Sequence, residues 1–132
     1  MARPKQEHPT PAELDILKIL WDEGARTVRE VMEALKKQRK RRAYTTVMSL
    51  LNVMTDKGLL TRKPKGRAFV YTAKSAREKT LCEMVGDLLG RAFEGQADAL
   101  VAHLLEEADP TGAELDEIRR TIEDYKKNKG GA

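Results

Sequence analysis

The sequence is poor in the residues that build disulfides, metal centres and nucleophilic active sites. Its 132 residues include one cysteine and two histidines. Cys82 has no partner for an internal disulfide, and its place beside Leu81 predicts a small buried side chain. His8 and His103 have no neighbour at metal-ligand spacing, so neither a metal nor a cofactor is expected. Walker, HExxH and GxSxG motifs are also missing. We predict no catalytic residues and no enzymatic activity.

Long apolar runs are absent as well. No stretch approaches the roughly 18 residues that a membrane-spanning helix needs. Residues 1–8 lack the apolar segment of a signal peptide. At 14.9 kDa the chain has room for one domain or two small ones. We therefore expect a cytoplasmic protein with no membrane partner.

Charge, by contrast, is abundant and unevenly divided. Residues 1–72 contain 16 Lys or Arg and 8 Asp or Glu, whereas residues 73–132 contain 9 and 13. The first part is thus net positive and the second net negative. This asymmetry indicates that the first part meets a polyanion, while the second has another task, such as contacting a second copy of itself. A solvated basic face without a partner is the alternative that charge alone leaves open.

Helix-start signals divide the chain into segments. Four capping boxes, in which a Ser or Thr is followed three residues later by Glu, begin at Thr10, Thr27, Ser75 and Thr111. Each precedes an apolar pattern at helical spacing. The first pattern ends at Gly24, and the second ends in the basic run 36–42.

A third helix is predicted over about residues 43–57. Apolar residues recur at helical spacing from Val47 to Met54, and Gly58 supplies a stop. The opposite face carries short polar side chains rather than the long charged side chains that are usual on a solvent-exposed face without a partner. They are Thr45, Ser49, Asn52 and Asp56. This face is suited to close approach to another molecule.

Two β-prone segments, 59–63 and 68–72, flank a turn at residues 64–67 that contains Pro and Gly. They predict a β-hairpin with a basic tip. Three helices followed by a hairpin predict a winged helix-turn-helix domain over residues 1–73. In that fold the third helix enters a DNA major groove and the hairpin, or wing, lies along the neighbouring backbone.

The apolar spacing in residues 74–132 predicts three amphipathic helices with leucine-rich faces. About 60 residues bury too little apolar surface to stand alone. We therefore predict a helical dimerisation domain, which makes the fold mainly α with a small β-hairpin wing. The residues assigned to dimerisation are Leu81, Val85, Leu88, Leu100, Leu104, Leu105, Leu115, Ile118 and Ile122.

The motifs YTTVM at 44–48, KGLLTR at 57–62 and GRAFVY at 66–71 resemble the penicillinase-repressor family, of the BlaI/MecI/CopY type. The resemblance runs from about residue 9 to residue 128. It implies a homodimeric bacterial repressor on inverted-repeat operators of β-lactam-resistance, stress-response or metal-handling genes.

The induction step does not carry over with the resemblance. In antibiotic-responsive members a membrane-bound zinc protease receptor senses the antibiotic, and the repressor is cleaved between Asn and Phe. Here His103 and Leu104 occupy that place. The copper-responsive branch has paired cysteines near the C-terminus, whereas this chain has only Cys82. Whether a regulatory protease is a partner stays open.

Candidate DNA contacts fall on the third helix, its preceding loop and the hairpin. Thr45, Thr46 and Ser49 match family positions near the operator, and are predicted to read base edges. The alternative is that Thr45 or Thr46 only caps the helix. Residues predicted to hold DNA, mostly at phosphates, are Arg41, Arg42, Tyr44, Arg62, Lys65 and Arg67. Their alternative is a solvated charged surface.

The predicted function is therefore a sequence-specific, homodimeric transcriptional repressor whose partner is double-stranded operator DNA. One alternative is a nucleoid-type protein that binds DNA without reading its sequence. A second is a winged-helix module that binds protein through its third helix. Preference for an operator over random DNA distinguishes a repressor from the nucleoid-type protein. The salt dependence of DNA binding distinguishes a repressor from the protein-binding module.

Overall fold

The computed structural model describes residues 8–129, which form six helices and one two-stranded antiparallel sheet. In chain order the elements are α1 (Pro11–Glu23), α2 (Val28–Lys37), α3 (Tyr44–Asp56), β1 (Leu60–Lys65), β2 (Ala68–Ala73), α4 (Arg77–Phe93), α5 (Ala97–Ala108) and α6 (Gly112–Asn128). Two compact units divide the chain, Met1–Gly86 and Asp87–Ala132, and α4 continues across their boundary. The predicted domain division at residues 73 and 74 stays a prediction.

Capping boxes begin three of the four helices for which they were predicted. At Thr10, the backbone N–H donates to the Glu13 carboxylate at 3.0 Å, and the hydroxyl accepts from the Glu13 N–H at 3.2 Å. The same reciprocal pair occurs at Thr27 and at Thr111. These bonds satisfy amides that have no partner within the helix.

The box predicted at Ser75 was wrong. Because α4 begins at Arg77, its first turn is closed by the Thr80 N–H on the carbonyl of Ala76, at 3.2 Å. The Ser75 carbonyl is instead used in tertiary structure, where it accepts from the Trp21 indole N–H at 2.9 Å. A long-range bond at this position thus accompanies a helix start one residue later than the local pattern indicated.

The first unit contains a hydrophobic core to which all three N-terminal helices and both strands contribute. On α3 the core face is formed by Val47, Leu51 and Met54, as the spacing predicted. Tyr71 from β2 is also fully enclosed. Because this core holds one side of α3, the opposite side faces outward.

The hairpin has a shorter turn than the sequence predicted. Lys65 pairs with Ala68, and Pro64 lies within β1 opposite Phe69 rather than in the turn. Gly66 occupies the first position of the two-residue connection with φ of +65°, which is accessible to glycine at little cost. Outside the hairpin, Arg26 and Tyr71 exchange backbone hydrogen bonds of 3.1 and 2.8 Å. This bridge ties the α1–α2 connection to the wing.

The second unit has no comparable core. No residue of α5 or α6 is buried, and large apolar side chains such as Leu104 (53% exposed) and Ile122 (51% exposed) face outward. Cys82, on the part of α4 that belongs to the first unit, is exposed too, so the prediction of a buried thiol was wrong. Its helix buries only Thr80 within the described chain.

Between residues 8 and 129 no helix combines the length and hydropathy needed to cross a bilayer. The prediction that no signal peptide is present rests mainly on residues 1–7, outside the described residues.

Candidate nucleic-acid interface

The outward face of α3 presents small hydroxyl groups. Thr45, Thr46 and Ser49 are all exposed; Thr45 and Ser49 lie opposite the core residues of the helix, and Thr46 lies at the border of that face. Short side chains there let another surface approach the helix backbone. The positions predicted for base reading are therefore accessible.

Neither threonine caps α3, so the capping alternative was wrong. The cap residue is Ala43, which makes no side-chain bond to the helix. The first turn consequently keeps amides without a side-chain acceptor, at the positive end of the helix dipole. Such an end favours a neighbouring anion.

An ion pair between a half-buried lysine and a buried carboxylate fixes the far end of α3. Lys57, at the end of α3, donates to both carboxylate oxygens of Glu13 at 2.8 and 3.0 Å. Glu13 is 2% exposed and also accepts from the Thr10 N–H. One carboxylate thus joins the start of α1 to the end of α3, which orients the exposed face. Sequence reasoning identified Glu13 only as part of a capping box.

The loop between α2 and α3 carries four exposed cations, Arg39, Lys40, Arg41 and Arg42. Lys40 makes contacts within the protein: its ammonium lies 2.9 Å from the Asp15 carboxylate, and its backbone N–H donates to the Leu35 carbonyl. Arg41 and Arg42 follow it and are exposed immediately before α3. This placement matches the predicted role at phosphates.

The wing carries the other predicted cations. Lys65 and Arg67 flank Gly66 at its tip, and both are exposed. Arg62 lies lower on β1, where its guanidinium donates to Asn52 at 3.3 Å and lies 4.4 Å from the centre of the Phe69 ring. Arg62 therefore connects α3 to the wing as well as contributing charge.

A groove of about 380 Å³ lies between the start of α2, the start of α3 and β2. Its lining includes Arg29, Tyr44, Met48, Arg67 and Phe69. Arg29, Met48 and Asn52 were not among the predicted contacts. Their wing-facing position depends on how α2 and α3 pack against β2. The polar face of α3 marked Asn52 in the sequence, whereas no local pattern marked Arg29 or Met48 as a contact.

Positive charge in this region acts on Glu30. The pKa of Glu30 lies below its ordinary value, chiefly because the carboxylate accepts the backbone N–H of Thr27. The charges of Arg26 and Lys65 lower the pKa further.

Across residues 8–129 no group of three or more His, Cys, Asp or Glu side chains could hold a metal ion.

Comparison with known proteins decides the family. The model of the penicillinase repressor family matches residues 9–124 of the chain. The chain belongs to the penicillinase repressor family. The resemblance carried by the three motifs is thereby confirmed. Family membership is consistent with the hydroxyl-bearing α3 and the basic wing described above.

Individual family members are similar over most of their length. The penicillinase repressor of Bacillus licheniformis is 27% identical over 118 residues, covering 89% of this chain and 91% of the relative. The transcriptional regulator BlaI of Mycobacterium tuberculosis is 31% identical, covering 84% and 80%. The solution structure of the DNA-binding domain of the repressor BlaI matches 58% of this chain and 90% of that domain, with 28% identity and a TM-score of 0.48.

Proposed function

We propose that this protein is a sequence-specific transcriptional repressor that binds inverted-repeat operator DNA as a homodimer. The observation that carries the proposal is the exposed hydroxyl face of α3, set beside a basic loop and a basic wing in a chain of the penicillinase repressor family. Small hydroxyls suit base edges, and flanking cations suit phosphates.

Base reading is assigned to Thr45, Thr46 and Ser49, since α3 presents them together and uses none of them as a cap. Backbone contact is assigned to Arg41, Arg42, Lys65 and Arg67 on the two sides of that face, with Arg62 and Tyr44 between them. The protein would act on genomic DNA in the cytoplasm, and it needs neither a cofactor nor catalysis for this task.

Dimerisation is assigned to α4, α5 and α6. Val85, Leu88, Leu104, Leu115 and Ile122 are each between 44% and 54% exposed in the single chain. Apolar side chains of this size are covered in a stable assembly, and a second copy is the partner that a palindromic site requires. Two linked DNA-binding domains bind an operator far more tightly than one does. Losing the dimer would therefore relieve repression.

No regulatory protease is included in the proposed function. His103 and Leu104 stand where antibiotic-responsive members have the cleaved Asn–Phe bond. His103 is also engaged locally, as its ring lies edge-on to Phe93 with centres 5.2 Å apart.

Selection of protein-bound genomic fragments, followed by competition against random duplex, tests this function. A specific repressor should prefer its site by about a thousandfold or more, and the site should contain two half-sites about 34 Å apart or a small multiple of that distance. Equal affinity for all sequences would favour the nucleoid-type alternative. Affinity for duplex that does not fall steeply between about 50 and 200 mM salt would instead favour a protein-binding module.

Two substitutions separate base reading from phosphate contact. Thr46→Ala should mainly reduce the preference for the operator, by roughly five- to tenfold. Arg67→Ala should weaken binding to every sequence alike. Equal losses on both kinds of DNA for Thr46→Ala would remove Thr46 from the base-reading set.

A further inference from the structure

The groove between α2, α3 and β2 combines charge with apolar surface. Arg29 enters it from α2 and Arg67 from the tip of the wing. Met48 and Phe69 also line it and remain 37% and 41% exposed. Large apolar side chains left open beside two arginines fit a ligand that is itself part anionic and part apolar.

Arg29 is held in a defined direction. Its guanidinium carbon lies 5.3 Å from the centre of the Tyr44 ring, which is a cation–π geometry. Tyr44 is the first residue of α3, so this contact joins the groove to the start of the base-reading helix. A side chain positioned in this way loses less freedom when it binds a ligand.

We propose that this groove holds the sugar–phosphate backbone of one DNA strand, with Arg29 and Arg67 at a phosphate and Met48 and Phe69 against deoxyribose. The inference rests on the proposed function and adds a site on α2 to it. A volume of about 380 Å³ leaves room for one sugar and its phosphate.

The location of the groove supports this occupant. It lies between the face assigned to the major groove and the wing assigned to the neighbouring backbone. A DNA strand that runs from α3 to the wing must pass over this groove. Glu30, the nearby carboxylate of α2, accepts the Thr27 N–H at 2.9 Å and feels the positive charge of Lys65, so its own charge is partly offset.

The experiment measures how the affinity of Arg29→Ala for a selected operator depends on salt. Removing one of the two cations at this phosphate should reduce the slope of log K against log salt by up to about 0.9 and weaken binding equally on operator and random DNA. Arg29→Lys keeps the charge and should keep the slope. Arg119→Ala, an exposed arginine of α6, is the matched control and should change neither quantity.

Neutralising single phosphates of the operator with methylphosphonate identifies the partner. Neutralising one phosphate in each half-site should weaken binding of the native protein by roughly five- to tenfold. It should weaken binding of Arg29→Ala by less, because only Arg67 remains at that phosphate. An unchanged salt slope in Arg29→Ala, or equal sensitivity of the variant and the native protein at every phosphate, would overturn the inference. Far-UV circular dichroism checks that the variant is folded.

The two proposals fail in different ways. If the native protein shows no operator preference and no salt dependence, the proposed function is wrong. If the native protein behaves as a specific repressor while Arg29→Ala matches it at every phosphate, only the site on α2 is wrong.

Discussion

The two units of this chain use leucine-rich helices in opposite ways. In the first unit, residues such as Ile16, Val31 and Leu51 are fully enclosed, and the helices close on one another with the hairpin. In the second unit, α5 and α6 have equally regular apolar faces but bury no residue. Amphipathic sequence therefore specifies a helix in both units, whereas a core within one chain forms only in the first.

Leu51→Ala should have the largest effect on the first unit. Leu51 is fully buried on α3, so truncation removes apolar contacts and leaves a cavity, at a cost of about 2–5 kcal/mol. Urea unfolding followed by fluorescence of Trp21, which belongs to this unit, measures the loss. The control Leu115→Ala, at an exposed position of α6, should shift that transition by less than about 0.5 kcal/mol. Equal shifts would erase the contrast between the units.

Leu104→Asp should disrupt the proposed dimer and leave the first unit folded. Placing an unpaired carboxylate in an apolar interface weakens association by about 3 kcal/mol, or roughly a hundredfold. Sedimentation should show a lower mass than that of the native protein. Ala102→Asp on the same helix is the matched control. An unchanged mass for Leu104→Asp would move the interface elsewhere.

Lys57→Ala tests the ion pair that orients α3. Its removal leaves the Glu13 carboxylate buried with fewer partners, which should cost about 2 kcal/mol in the first unit. Adding Glu13→Gln should recover part of this loss, because the uncompensated charge is gone. Lys18→Ala on the exposed side of α1 should have little effect. A double variant less stable than Lys57→Ala would show that the carboxylate does not need its cation.

The threonine N-caps of α2 and α6 allow the stability of the two units to be compared directly. Thr27 and Thr111 each accept from the third helical residue at 3.2 Å. Thr27→Ala should lower the stability of the first unit by about 1 kcal/mol. Thr111→Ala should leave that transition unchanged and instead reduce helicity or self-association of the second unit. If both changes lower the Trp21 transition equally, the units do not unfold separately.

The smallest expected effect is the pH dependence from Glu30. Folding lowers its pKa below the ordinary 4.5, so its contribution is present above that value and is lost as pH falls through the lowered pKa. Glu30→Gln should therefore narrow the stability difference between pH 5 and pH 3. NMR titration of the Glu30 carboxyl gives the pKa directly. A carboxyl that titrates at or above 4.5 would contradict this assignment.

Local chemistry accounts for much of what could be predicted. Three capping boxes, the core face of α3 and the glycine of the hairpin turn all depend on neighbouring residues, and each is present as expected. Packing decided the exceptions. Ser75 does not begin α4, and Pro64 pairs within β1 because the strands close on a turn of only two residues.

The sequence by itself determined the helices, the hairpin, the family and the exposed hydroxyls of α3, since each follows from spacing or from a short motif. Only the tertiary structure decided that Glu13 meets Lys57, that Arg26 pairs with Tyr71, and that Arg29 lies beside Tyr44 and the wing. These contacts join residues distant along the chain. Their geometry depends on the packing of whole elements, which no local pattern encodes.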